Sequence, residues 1–300
     1  MTEIGAALPR PIRIGLANLD TSHPLGYIPV IRALGHEVTG VYDDGVVFDT
    51  SYARRFVSEN GLTRRYRELS DLARDVDVAY VGGCDWTARL AAVRLLADAG
   101  VGILLDKPAA ATWSDLDELE ELVGSGARIT GGSALLGCDE VRDWVGAHGT
   151  AVTALATCHG HELDYGVHAA ALVLAVCGAG VREVRASRVD HALVVSLRWS
   201  GGQVARYVLA ERPLNVEYAV TVVGDGAVDQ LAAQSVTGLR HGQHPPVVRL
   251  QCDVDDGLLD LVYMGMGTAR HGRGRDESQG CDVGHGDLLL ESGHHVADGR

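Results

Sequence analysis

The chain is short of positive charge: 26 Lys and Arg stand against 40 Asp and Glu, for a formal net charge of -14. That balance argues against polyanionic partners, so neither nucleic acid nor an anionic membrane surface is expected. Long apolar runs are also missing. Stretches such as Ala169–Val176 fall well short of the roughly 20 residues that a bilayer requires, and the N-terminus has no charged segment followed by an apolar signal core. A soluble, cytoplasmic protein is the expectation. Cysteine pairing is the third absence. Cys84, Cys138, Cys158, Cys177, Cys252 and Cys281 are scattered with no CxxC spacing, which points to reduced, mostly buried thiols and not to a disulfide framework.

What is present is a sizeable apolar fraction, 46% of 300 residues, enough for two domains or one large one. The most informative stretch is Val101–Pro108, VGILLDKP. It reads as a buried parallel strand that stops at Pro108 and delivers Lys107 to a sheet edge. Around it, strands and helices alternate. Ile12–Ala17, Glu37–Tyr42 and Val76–Val81 read as strands, with helical patterns at Ile28–Leu34, Leu69–Leu72 and Thr87–Ala99. Trp113-Ser114-Asp115 leads into a further helix that carries Leu116, Leu119, Leu122 and Val123, is capped by Ser114 and ends at Gly124, before a fifth strand beginning at Arg128–Thr130. Five strands interleaved with helices predict a Rossmann-like, doubly wound parallel sheet.

The second half changes character. A helix at Val141–Val145, a strand at Thr150–Thr157 and a helix at Tyr165–Val176 precede VREVRASRV, HALVVSLRW, QVARYVLAE and VEYAVTVVG. These consecutive β runs are joined by short turns, Ser200-Gly201-Gly202 among them, and predict an α+β unit with a mostly antiparallel sheet. The expected division is 1–131 for the dinucleotide-fold domain and 132–268 for a substrate and oligomerisation domain. A polar, Gly- and His-rich tail at 269–300 is expected to be disordered or loosely docked.

Asp106-Lys107-Pro108 at a strand end, with Asp164-Tyr165-Gly166-Val167-His168 in the next domain, resembles the Gfo/Idh/MocA family, named for glucose-fructose oxidoreductase and inositol dehydrogenase. In that family the first motif usually reads Glu-Lys-Pro. The resemblance covers about Ile12 to Asp225. It implies an NAD(P)-dependent dehydrogenase or ketoreductase acting on a sugar, cyclitol or related polyol, with its site between the two domains and a homo-oligomer built through the C-terminal sheet. It implies catalytic roles for Lys107, Asp164 and His168. The residue types suit that chemistry. An imidazole titrates near neutrality, a lysine can stabilise an alkoxide, and Asp164 and His168 stand one helical turn apart on one face. Asp106 and Pro108 join Lys107 in the cofactor contact set, and His161 and Tyr165 are assigned to the substrate.

The phosphate-binding turn departs from the fingerprint. Asn18-Leu19-Asp20-Thr21-Ser22-His23 contains none of the three expected glycines. Asn18 tolerates left-handed backbone. Thr21, Ser22 and His23 can donate to a phosphate, whereas the Asp20 carboxylate repels one unless it is turned away or neutralised; Asp20 or Ser22 is also expected to cap the following helix. Asp43 falls where the ribose acid belongs, favouring NAD over NADP, and Gly82 and Gly83 lie on the same crevice side. No metal is expected, since Cys158, His159, His161, Asp164 and His168 have no standard ligand spacing and strand alternation separates neighbours. A non-redox lyase or epimerase, or a ligand-sensing homologue that has lost the dinucleotide, stands as the alternative.

Overall fold

The computed structural model describes residues 10–110, 112–160, 162–211 and 218–233. His161 and the 269–300 tail lie outside the described residues. Strands β1 (Arg13–Ala17), β2 (Glu37–Tyr42), β3 (Arg64–Tyr66), β4 (Val78–Val81), β5 (Gly102–Asp106) and β6 (Ile129–Gly132) form one parallel sheet in the order β3-β2-β1-β4-β5-β6. The order reverses between β1 and β4, so the loops leaving their carboxyl ends diverge and open a crevice. Helices α1 (His23–Ala33) and α2 (Thr50–Glu59) cover one face, burying Ile28, Ile31, Ala53 and Phe56 with Leu16 and Val41. On the other face, α3 (Leu69–Asp75), α4 (Trp86–Asp98) and α5 (Trp113–Gly124) bury Leu72, Val93, Leu96 and Leu119 against Ile103 and Leu105. Each fully buried side chain of this size contributes roughly 1.5–3 kcal/mol, which makes both faces necessary to the sheet.

Two local expectations are corrected. The sheet has six strands, because β3 and the α2 before it were not anticipated. β3 is only Arg64-Arg65-Tyr66 and presents no apolar run. The α2 signal was its cap: Asp49 Oδ1 accepts the N–H of Ser51 at 2.8 Å and of Tyr52 at 3.1 Å. α5 is capped by Thr112, not by Ser114. Thr112 Oγ1 accepts Asp115 N–H at 3.2 Å while Asp115 Oδ2 accepts Thr112 N–H at 2.9 Å, a reciprocal box that a serine inside the first turn cannot make.

The second sheet contains β7 (Thr153–His159), β8 (Val181–Val189), β9 (Ala192–Trp199), β10 (Val204–Ala210), β11 (Tyr218–Val223) and β12 (Val228–Ala232), in the order β12-β11-β7-β10-β9-β8. Its pairings are antiparallel except β7 with β10, which is parallel. α6 (Asp139–His148) and α7 (Glu162–Cys177) accompany it. α7 buries Ala169, Leu172, Val173 and Val176 in the second core, beside Trp144, Leu209 and Val220. The carboxyl end of β7 thereby feeds the start of α7 toward the crevice of the first sheet. Among the described residues no helix is long and apolar enough to cross a membrane.

Removal of the α2 cap in Asp49→Ala is expected to cost about 1 kcal/mol. Urea unfolding checks this, and an unchanged midpoint would refute the role of the cap.

Candidate active site

Three loop ends of the first sheet and the first turns of α7 meet at the crevice. The β1–α1 turn is built from carboxylates and an amide where glycines were lacking. Asn18 adopts φ 69°, the left-handed conformation that its short side chain tolerates. Its Nδ2 donates to Asp44 Oδ2 at 2.8 Å, and Asp44 N–H returns to Asn18 Oδ1 at 3.3 Å. Asp43, 8% exposed, accepts Leu19 N–H at 3.0 Å and Gly45 N–H at 3.0 Å. The acid expected at the ribose therefore braces the turn from below, and burial pushes its pKa up. The expected capping of α1 is corrected: Ser22 occupies the cap position without a side-chain cap bond. The Asp20 carboxylate instead crosses to the loop after β4, where Oδ2 accepts Cys84 N–H at 2.7 Å. His23 N–H lies 3.3 Å from Thr21 Oγ1.

The loop after β4 is Gly82-Gly83 because nothing larger fits. A Cβ at Gly82 would lie 2.2 Å from Tyr80 Oη, and one at Gly83 would lie 2.6 Å from Asn18 Nδ2. Beneath it sits Arg89 of α4, 5% exposed. Its Nε donates to Gly83 O at 2.9 Å, and its Nη1 donates to Asp106 O at 2.9 Å and Pro108 O at 2.6 Å. One guanidinium thus ties the loops after β4 and β5 together, and burial lowers its pKa. Sequence reasoning missed it. An arginine in the first turn of a helix carries no distinguishing signal in sequence.

At the end of β5, Asp106 is 4% exposed and saturated. Oδ1 accepts Lys107 N–H at 2.8 Å, Oδ2 accepts the Tyr80 hydroxyl at 2.9 Å, and His23 Nδ1 stands 2.7 Å from the same oxygen. Burial would raise its pKa. The hydrogen bond and charge of His23, helped by Tyr80 and Lys107 N–H, outweigh burial and hold it below the ordinary value. The Lys107–Pro108 peptide is cis. Lys107 is the only lysine in the chain. Its Nζ donates to the backbone oxygen of Asp164 at 3.1 Å and lies 5.5 Å from the Tyr165 ring centre.

His168 completes the group from the second turn of α7. Its Nδ1 is 2.7 Å from Ser133 Oγ, which also accepts Leu135 N–H at 3.2 Å. Tyr218 packs edge-on at 5.3 Å and Tyr165 at 6.1 Å. Burial first, then the charges of Lys107 and His23, pull His168 down to about 4 against Asp106. The imidazole is therefore neutral at neutral pH. Ser133, 5% exposed and the residue that holds it, was not anticipated. His159 stacks on Tyr165 at 6.4 Å, with Nδ1 enclosed and unpartnered among the described residues. Thus Asn18–His23, Gly82, Gly83, Asp106–Pro108, Asp164, Tyr165 and His168 converge.

No protein-family model and no curated protein sequence matches the chain. Solved structures do. A probable dehydrogenase from Thermotoga maritima superimposes with TM-score 0.63 at 18% identity, over 74% of this chain and 76% of that one. UDP-N-acetylglucosamine 3-dehydrogenase from Acidithiobacillus ferrooxidans gives 0.62 at 15%, over 75% and 84%. Scyllo-inositol dehydrogenase from Lactobacillus casei, with bound NAD(H) and scyllo-inositol, gives 0.62 at 13%, over 74% and 76%. The chain has the two-sheet fold of Gfo/Idh/MocA-type dehydrogenases.

The depressed His168 has a stability consequence. An unfolded imidazole of ordinary value 6.5 takes a proton that the folded one refuses until about 4. The unfolded state binds more protons between those values, so this contribution is complete above about 6.5 and is lost as pH falls toward 4. His168→Asn is expected to flatten the acid decline by on the order of 3 kcal/mol. Urea unfolding at several pH values tests this, and an unaltered decline in the variant would assign it to other groups.

Proposed function

We propose that the chain is an oxidoreductase that moves a hydride between nicotinamide and a secondary alcohol or ketone of a sugar, cyclitol or related polyol, with NAD as the cofactor. The observation that carries this reading is the convergence of the only lysine, held by Asp164 O at 3.1 Å, with a neutral His168 at the carboxyl ends of a doubly wound sheet. The crevice fits a dinucleotide in two respects: Asn18 makes the left-handed turn of the missing glycine, and Gly82 and Gly83 keep the opposite loop free of side chains. The charge of Asp20 opposes the pyrophosphate.

Bound nicotinamide would supply the hydride acceptor. The Lys107 ammonium donates to the substrate oxygen and stabilises developing alkoxide. In the tautomer whose Nδ1–H donates to Ser133, His168 presents the Nε2 lone pair and takes the hydroxyl proton. Asp164 positions the lysine through its carbonyl, and Tyr165 lies under the ammonium as a wall for the substrate. The second sheet leaves Leu155 42% exposed on the face away from α7, and we place a homo-oligomer contact there.

A second reading is favoured by His23, whose Nδ1 is locked to a buried carboxylate as in a catalytic dyad. In that case Lys107, His168 and His23 would transfer protons in a lyase or epimerase without a dinucleotide.

Thermal denaturation with NAD, NADH, NADP and NADPH separates the two. NAD or NADH at about 100 times its Kd is expected to stabilise the fold by about 2.7 kcal/mol. No stabilisation by any of the four would sink the oxidoreductase reading, and turnover without cofactor that Lys107→Ala abolishes would establish the second. Under the first reading, Lys107→Ala lowers kcat/KM for a cyclitol substrate about 100- to 1,000-fold. Reductive methylation, which reaches a single side-chain amine in this chain, should also impair turnover; undiminished activity after complete methylation would show that the free amine is not required.

A further inference from the structure

We infer that Asp20 is an electrostatic gate on the crevice, opposing the pyrophosphate of a dinucleotide when ionised and admitting it when neutral. The inference rests on the dinucleotide reading above and concerns how that site is controlled.

In a doubly wound sheet the pyrophosphate lies on the turn after β1, where free N–H groups and the start of the helix face it. In this chain that position holds a carboxylate. Asp20 does not fold back onto its own helix. It reaches across the crevice to Cys84 N–H at 2.7 Å, so the side chain spans the two loops between which a dinucleotide would pass. Its Oδ1 is closed off from solvent and has no hydrogen-bond partner among the described residues. An enclosed carboxylate oxygen without a donor is costly, and taking a proton relieves that cost. The first turn of α1 offers little compensation for an anion: Pro24 has no N–H, and His23 N–H is turned to Thr21.

The surrounding charges act in the same direction on balance. Asp43 and Asp44 face Asp20 from the end of β2, Arg89 from α4 and the Cys84 thiol from the β4 loop. Burial first, with Asp44 and Asp43, pushes the Asp20 pKa up against the Cys84 N–H and Arg89. Protonation thus falls nearer neutrality than for an ordinary aspartate. Asp20→Asn keeps an acceptor for Cys84 N–H and removes the charge, while Asp20→Gly removes the side chain outright and guards against a defect peculiar to the asparagine.

The test is calorimetric titration of the full chain with NAD from about pH 4, near the ordinary aspartate value, to about pH 8, after thermal melts confirm that each variant is folded at each pH. Wild type is expected to weaken about tenfold as pH rises, the change produced by one pKa unit of coupling. Asp20→Asn is expected to bind about tenfold tighter than wild type at the upper pH, with no pH dependence. If wild type binds independently of pH and the variants bind no tighter, the gate is wrong and the dinucleotide reading stands. Dependence on pH that survives in both variants belongs to a group other than Asp20 and also overturns the gate. Binding by the variants alone, with none by wild type even at the lower pH, would make Asp20 a permanent block and not a gate, overturning the gate together with the oxidoreductase reading for the natural chain. If no form binds NAD at any pH, both fall.

Discussion

The buried carboxylate of Asp106 is the interaction on which this crevice depends. It ends β5, and through its two oxygens it collects the hydroxyl of Tyr80 from β4, the imidazole of His23 from α1 and the N–H of Lys107. Three separate elements are brought into register by one charge. An unpaired carboxylate at that depth would be strongly destabilising, so the partners are held as tightly as the acid itself. The direction in which Lys107 leaves the sheet follows from that anchoring.

Arg89 plays the complementary part from below. Its guanidinium satisfies the carbonyls of Gly83, Asp106 and Pro108, which a loop without regular structure could not pair for itself. The negative charges at the turn and the positive charge under it set the field of the crevice. His168 lies on the opposite wall, kept neutral by burial and by Lys107. In the proposed reaction the neutral base would take a proton while the ammonium steadies the oxygen.

Much of the fold was legible. β1, β2, β4 and β5 are apolar runs that end sharply, and their order with the intervening helices leaves little choice of topology. β3 was not legible, because three residues with two arginines carry no periodic signal and the strand exists only by pairing with β2. The parallel pairing of β7 with β10 was equally hidden, since hairpin turns announce neighbours in sequence and not partners across a helix. In the site, Lys107, Asp164 and His168 stood out as a motif. Ser133 and Arg89 did not, because a serine after two glycines and an arginine in a helix are ordinary in sequence and acquire meaning only from what surrounds them.

The sequence by itself determined which residue types could carry chemistry and the order in which the strands would present them, because periodicity, breakers and motif spacing are local properties. Tertiary structure alone decided what each acid does. Asp106 became an anchor, Asp43 a brace under the turn and Asp20 a bridge across the crevice, although all three end or follow a strand. Those roles depend on burial and on donors contributed from distant segments, and neither quantity is encoded in the residues beside them.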